Sequence, residues 1–421
     1  MTTAIRLGPS YWKLWTSASF SNLADGVMKV ALPLVAIRYT DSPALIAGLS
    51  FAFTLPWLLF ALTAGALADR HDRCRLMLIA NIARAAFLAA LTIVTVAGAG
   101  SIWLLYVAAF CVGTAETIYD TSSQSILPQL VERPALARAN GRLYAAEFAT
   151  NQFIGPPLGG FLVALGVGLA FGTPVLLWVA AVGVLMLVRG RFDTGHTGET
   201  SMRADIAEGL RFLWNSTLLR VLAIMVGGMN FASNAAMTVF VLYAVGPASV
   251  MKLSDPGYGV LITTFAIGSI LGTFIAEPVE RLLGRAGALT LTVFGSLATI
   301  VTPALTASPW IIGSAFFVGG LLISVWNIIT VSLRQRVTPH RLLGRLNSAY
   351  RLLAWGTMPL GAAAGGLIAE LFGIPVVFWS MGALVLCLLT GMIWVTNRRM
   401  DDAERDAEGA DAGAAAVNTD R

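Results

Sequence analysis

Long apolar stretches alternate along this chain with short polar knots. Ala44 to Ala64 carries no charge, and Leu76 to Gly98 is interrupted by Asn81 and Arg84. Between them lies GALADRHDRCR, residues 65–75, with five charged side chains and His71. A helix that spans a bilayer needs roughly 20 apolar residues. In lipid every backbone group must bond internally, which leaves helices or closed barrels. Barrel strands alternate with period two over about ten residues, whereas these runs are unbroken and predict helices. Twelve spans follow: 12–37, 44–68, 76–98, 102–124, 141–165, 168–188, 218–246, 257–278, 286–306, 309–333, 344–370 and 372–396. The first is too long for the apolar core of a cleaved leader and holds Asp25 and Lys29, so it is expected to remain as a span.

Composition agrees. The chain is 57% hydrophobic and 12% charged, with mean hydropathy +0.75, where soluble domains carry about 25% charged residues. The expected fold is therefore all-α and integral to the membrane. Cys111 and Cys387 fall inside predicted helices and Cys74 in the charged knot, so no disulfide is expected. His71, His196 and His340 all fall in loops and no spacing suits a metal. None of the three lysines, Lys13, Lys29 and Lys252, follows a glycine, so there is no P-loop. Neither a cofactor nor a metal nor enzymatic activity is expected.

The 28 Lys and Arg residues fall almost entirely on one side of these spans. The opposite loops hold only Arg38 and Lys252, and Lys29 and Arg84 lie within spans. Short cytoplasmic loops keep such an excess, so both termini are expected in the cytoplasm of a multi-pass cell-membrane protein. Topology accounts for the net charge of +5 without a nucleic-acid partner. The longest loop, 189–217, separates a six-helix half at 1–188 from another at 218–396. Within it, Ile206, Leu210 and Leu213 share one face of an amphipathic helix suited to the membrane surface. The acidic, Ala-rich stretch 397–421 is expected to be disordered.

The halves look like repeats. LPQLVERPALARANGRL runs on to GPPLGG, and LRQRVTPHRLLGRLNSA runs on to PLGAAAGG. Asn140 precedes Gly159 by 19 residues, and Asn347 precedes Gly365 by 18. Tandem six-helix halves are a transporter architecture with the substrate path where they meet.

Two motifs carry a family resemblance. Gly65, Asp69, Arg70 and Arg73 repeat the loop 2–3 pattern of the major facilitator superfamily, with Asp72 where that family usually has glycine. The corresponding loop of the second half, GTFIAEPVERLLGR, is decayed, with Gly272, Glu280, Arg281 and Arg285 remaining. GPPLGG, with Gly155, Pro156, Gly159 and Gly160, resembles the antiporter motif of exporters in that superfamily. SNLADGVMKVALPL and SILPQLVERPALARANG resemble the drug-exporter branch that includes macrolide efflux and enterobactin export proteins. The resemblance implies twelve helices in two pseudo-symmetric halves and alternating access. It also implies that the loop 2–3 motif latches the halves, with Asp69 facing the start of helix 11 near Arg345 and Arg351. In the family the bend at Pro156 helps seal the periplasmic end of the cavity. One departure matters: many drug antiporters of this superfamily carry an arginine in helix 4, where this chain has Glu116 and Asp120.

A charge at mid-bilayer costs at least ~2.5–3.5 kcal/mol and usually faces a cavity where it acts. Asp25 and Lys29 are one helical turn apart and can pair, with Asn22 one turn before. A carboxylate contested between burial and a nearby cation is suited to carry a coupled proton. A second group, Arg84 with Glu116, Asp120 and Glu147, falls at similar depth toward the cytoplasm, and Glu116 or Glu147 is the other candidate carrier. The alternative for both groups is static ion pairing. Asn22, Asn230, Asn234, Trp326 and Asn327 are candidate cavity residues, in a pocket whose Met and aromatic neighbours suit varied apolar ligands. The expected activity is proton-coupled antiport of lipophilic or cationic drugs by a monomer in the lipid bilayer. Export of a dedicated metabolite such as a siderophore, or movement of lipid, is the alternative.

Overall fold

A computed structural model describes residues 7–132, 135–188, 190, 192, 202–246, 248–339 and 342–407. Nearly all of them are helical: α1 Pro9–Ala36, α2 Pro43–Arg70, α3 Arg73–Val96, α4 Ile102–Leu130, α5 Leu136–Glu147, α6 Gly155–Leu165, α7 Val167–Leu185, α8 Met202–Asn215, α9 Thr217–Ala244, α10 Asp255–Leu305, α11 Pro309–Val337, α12 Leu343–Phe372 and α13 Ile374–Leu388. Among the described residues there is no strand, only an isolated bridge between Val245 and Leu253. Local chemistry sets the ends. Ser42, Asp72 and Ser101 each accept a hydrogen bond from the third residue of the helix they precede, which satisfies a backbone donor that the helix leaves open. Gly166, at φ 136, turns α6 into α7 with no intervening loop.

By length and composition, nine helices among the described residues can cross a membrane. The difference from twelve has three physical sources. Ser17, Ser19, Ser21, Asn22, Asp25 and Lys29 make α1 too polar to count. The span expected at 141–165 is divided into α5, a π-helical segment Phe148–Ile154 and α6. Pro156 and Pro157 lack N–H donors and crowd the carbonyls one turn back, and the widened π turn sits where that crowding falls. The spans expected at 257–278 and 286–306 are two helical stretches of α10 that meet without a loop at the non-helical Gly284, at φ 70, and so count once.

The chain forms two compact units. One comprises Met1–Gly198 with Thr238–Thr263, the other Glu199–Met237 with Thr264–Arg421. In the first, α1 packs against α7, α6 and the π segment, α3 lies between α4 and α7, and α2 rests on α4. One core of this unit joins Tyr11 and Leu14 to Met77, Tyr119, Ile126 and Leu185. In the second, glycines let helices approach closely. Gly268 sits against the Phe317 carbonyl and Gly320 against that of Phe265, while Gly361 and Gly365 sit against the carbonyls of Phe231 and Ala235. The amphipathic α8 packs on α12: Gly209 meets the Arg345 backbone, Leu213 is buried, and Glu208 pairs with Arg345.

The expectation of disorder from residue 397 is corrected. Residues 397–407 are helical, and 408–421 lie outside the described residues. Thr396 Oγ1 accepts from Arg399 N, Met400 is fully buried, and Asn397 Oδ1 accepts from Ala286 N at 2.8 Å. Arg285 pairs with both Asp401 and Glu404, and Glu404 also reaches Arg336. An acidic segment looks unfoldable only while its partner cations are unknown. Replacing Arg285 by glutamine removes a cluster worth on the order of 1 kcal/mol, so the unfolding midpoint in detergent should fall by a few degrees. Deleting residues 397–421 in the Arg285→Gln chain should cost no more than the deletion alone. Additive losses would show that the helix does not dock through Arg285.

Candidate functional site

The polar stripe of α1 organises the first unit. Ser17, Ser21 and Asp25 recur every fourth residue, share one helix face and are buried. Ser17 Oγ donates to the Ala181 carbonyl at 2.8 Å, and Ser21 Oγ lies 3.2 Å from Asn81 Oδ1. Asp25 accepts from Arg84 Nη1 on both oxygens, at 2.8 and 3.0 Å. The Arg84 side chain is 0% exposed and that of Asp25 6%. The guanidinium carbon lies 4.6 Å from the Tyr119 ring centre and 5.6 Å from that of Trp178. Arg84 Nε and Nη2 have no hydrogen-bond partner among the described residues, and the two π faces supply attraction that they lack.

The pairing of Asp25 with Lys29 is therefore corrected. Lys29 is exposed and its Nζ donates to Asn151 Oδ1 at 2.6 Å. Helical spacing permitted the other pair, but a buried guanidinium without a counter-charge is far costlier than an exposed ammonium. Asn151 sits in the π segment, and its Nδ2 is 3.5 Å from Asn22 Oδ1. Sequence reasoning missed Asn151. Its signal was an amide five residues before the Pro156 ring, beside Thr150 and Gln152 in the span expected at 141–165. Gly26 makes the approach feasible, because a Cβ there would come within 2.5 Å of the Asn151 carbonyl oxygen.

The two expected charge groups are one. Glu116 is half-buried on α4, and its Oε2 is buried with no hydrogen-bond partner among the described residues. Asp120 follows one turn later, also half-buried, and Glu147 is exposed at the end of α5. Glu116, Asp120 and Asp25 all interact electrostatically with Arg84, and Glu116 and Glu147 with Lys29.

The two motifs belong to the same unit. Arg73 is nearly buried; its Nε donates to the Ala68 carbonyl at 3.2 Å and its Nη1 to that of Ser125 at 2.5 Å. It thus joins the ends of α2, α3 and α4, while Arg70 is exposed and Gly65 lies within α2. Asp72, the departure from the family pattern, has a local use. One oxygen caps α3 at Arg75 N and the other accepts from Phe192 N, both at 2.9 Å. The Asp69 side chain lies outside the described residues, so its expected partner at the start of α12 is not seen. Arg345 pairs with Glu208, and Arg351 stacks 4.4 Å over the Trp355 ring.

GPPLGG is a backbone-to-backbone seam. A Cβ on Gly155 would come within 2.6 Å of the Gly26 backbone, and one on Gly159 within 2.7 Å of the Val27 carbonyl oxygen. Gly160 faces the Asp255 carbonyl, and a Cβ on Gly259 would lie 2.5 Å from the carbonyl oxygen of Pro156. The motif is thus held between α1 and the first turns of α10. In the second unit, Asn230 Nδ2 donates to the Ala354 carbonyl at 2.8 Å and Asn234 Nδ2 to that of Asn230 at 3.0 Å. Trp326 is fully buried and Asn327 is exposed.

Residues 8–419 match the profile of a family described as transmembrane secretion effector. The multidrug efflux pump Tap of Mycolicibacterium fortuitum is 25% identical over 407 residues, which cover 92% of this chain and 95% of that one. Macrolide efflux protein A of Streptococcus pyogenes is 21% identical over 388 residues, covering 90% and 94%. Among solved structures, a bacterial homologue of the iron transporter ferroportin, in an inward-facing state, superposes with a TM-score of 0.72 at 17% identity, over 91% of this chain and 98% of its own. At that identity the likeness speaks for the fold.

Proposed function

Because this chain belongs to the transmembrane secretion effector family of the major facilitator superfamily, we propose that it is a secondary active exporter that exchanges protons for lipophilic cations by alternating access. The reading includes twelve spans in two six-helix halves, both termini in the cytoplasm, and a cell-membrane location. The one-sided distribution of Lys and Arg supports that orientation, and the efflux relatives support the direction of transport.

The observation that carries proton coupling is that one buried guanidinium serves more than one carboxylate. Arg84 is bonded to Asp25, while Glu116 stands nearby with a buried oxygen lacking a partner. A proton on Asp25 weakens its hold on Arg84, and Arg84 then turns to Glu116. Loss of that proton reverses the shift. Lys29 is engaged by Asn151 and Arg84 by Asp25, so neither cation is free to receive an anion. Glu116 and Glu147 leave the site with unspent negative charge, which suits a cationic substrate.

The test is ethidium accumulation in an efflux-deficient bacterium. Wild type should keep dye low, and a protonophore or Asp25→Asn should abolish that effect. Export that persists in Asp25→Asn and fails in Glu116→Gln moves the proton to Glu116. Accumulation equal to the empty vector for wild type overturns the drug-export reading and points to a dedicated metabolite.

A further inference from the structure

Arg38 lies two residues beyond the end of α1. Its Nη2 donates both to the Val163 carbonyl of α6 and to Oδ2 of Asp255, the first residue of α10, each at 3.1 Å. A single nitrogen thus ties together the ends of three helices. Below it runs the glycine seam in which Gly160 faces the Asp255 carbonyl and Gly259 the Pro156 carbonyl. No side chain interlocks across that seam at these glycines. Beside the pair opens a cavity of about 560 Å³, lined among others by Ala164, Val245, Lys252 and Pro256. Water therefore reaches the pair: the Arg38 side chain is 42% exposed and that of Asp255 19%. In the topology given above this end is extracellular, where basic residues are scarce. Arg38 is not explained by orientation.

We propose that Arg38 and Asp255 form an extracellular latch, which holds α1, α6 and the start of α10 together and opens in each transport cycle. The inference rests on the alternating-access reading above. A hydrated pair is weak enough to break and re-form, and a seam of glycine against carbonyl parts without unlocking side chains. The simpler role for Asp255 is a first-turn acid that favours the α10 N-terminus. That role does not depend on Arg38, and the difference is measurable.

The experiment uses the full chain in lipid nanodiscs, with Cys74, Cys111 and Cys387 replaced by alanine. Spin labels are placed on Leu165→Cys and Val250→Cys, at exposed positions of α6 and the α9–α10 connection. Double electron–electron resonance then gives the distance distribution. Arg38→Gln and Asp255→Asn should each raise the ratio of long to short distances, up to about five-fold for a hydrated pair. The double variant should rise no further than the larger single effect. Additive effects, or unchanged distributions, overturn the latch. No substrate is needed for this measurement. A chain that exports nothing yet shows the coupled shift keeps the latch as a device of the fold and loses the drug-export reading.

Discussion

Arg84→Met is expected to be the most damaging single substitution in the first unit. It leaves the Asp25 carboxylate, 6% exposed, without its counter-charge. Breaking a buried pair from one side costs about 3–5 kcal/mol, because the remaining charge stays buried. The guanidinium also packs against Tyr119 and Trp178, so its loss leaves two rings facing a gap. The expected result is poor recovery of folded protein from membranes, read by size-exclusion profile and thermal unfolding in detergent. The double variant Asp25→Leu with Arg84→Met separates structure from function. Replacing both partners of a buried pair by apolar groups is often neutral or stabilising, so folding should return. Ethidium export should not return, because the Asp25–Arg84 pair, whose making and breaking follows the proton, is gone even though Glu116 remains. A double variant that exports like wild type would show that the pair is purely structural.

Gly26→Ala is expected to abolish export, lowering the initial efflux rate at least ten-fold. The added methyl would come within 2.5 Å of the Asn151 carbonyl oxygen and 2.8 Å of its Cα. The obstacle is backbone, which cannot step aside as a flexible side chain can. Overpacking of this kind costs about 1–3 kcal/mol. Here it would also push the π segment away from α1 and separate Asn151 from Lys29, now joined at 2.6 Å. Gly159→Ala, whose methyl would meet the Val27 carbonyl oxygen at 2.7 Å, should behave alike. Gly172→Ala and Gly183→Ala are the controls. Nothing lies within 4 Å of a Cβ at either position in α7, and alanine favours a helix by about 1 kcal/mol. Those two should export normally and be as stable as wild type or more so. Normal export by Gly26→Ala would mean that close approach of α1 to the GPPLGG helix is dispensable.

These two expectations rest on different kinds of knowledge. Some of the glycines can be read from the sequence, since Gly155 with Gly159, Gly268 with Gly272 and Gly361 with Gly365 have the four-residue spacing of close helix approach, whereas Gly26 has no such partner. Gly361 and Gly365 meet α9, and Gly268 meets α11, by that rule. The partner of Asp25 was not legible. Helical spacing placed Lys29 within reach, but Arg84 is 59 residues away, and only the packing of both α1 and α3 on α7 brings it there. The helix at 397–407 was hidden for the same reason, since Arg285 and Arg336 lie far from it in sequence.

By itself, the sequence determined what depends on composition and period: helices in a membrane, the two motifs, and the presence of Asp25 and Arg84 inside apolar stretches. These follow from transfer of each stretch between water and lipid, which is summed along the chain and needs no partner. The tertiary structure alone decided which charges meet, where a helix widens into a π turn, and that Arg38 reaches both α6 and α10. Those are pairwise matters of distance. A buried charge takes whichever counter-charge the packing delivers, and the packing is set by the glycine seams and not by the charges themselves.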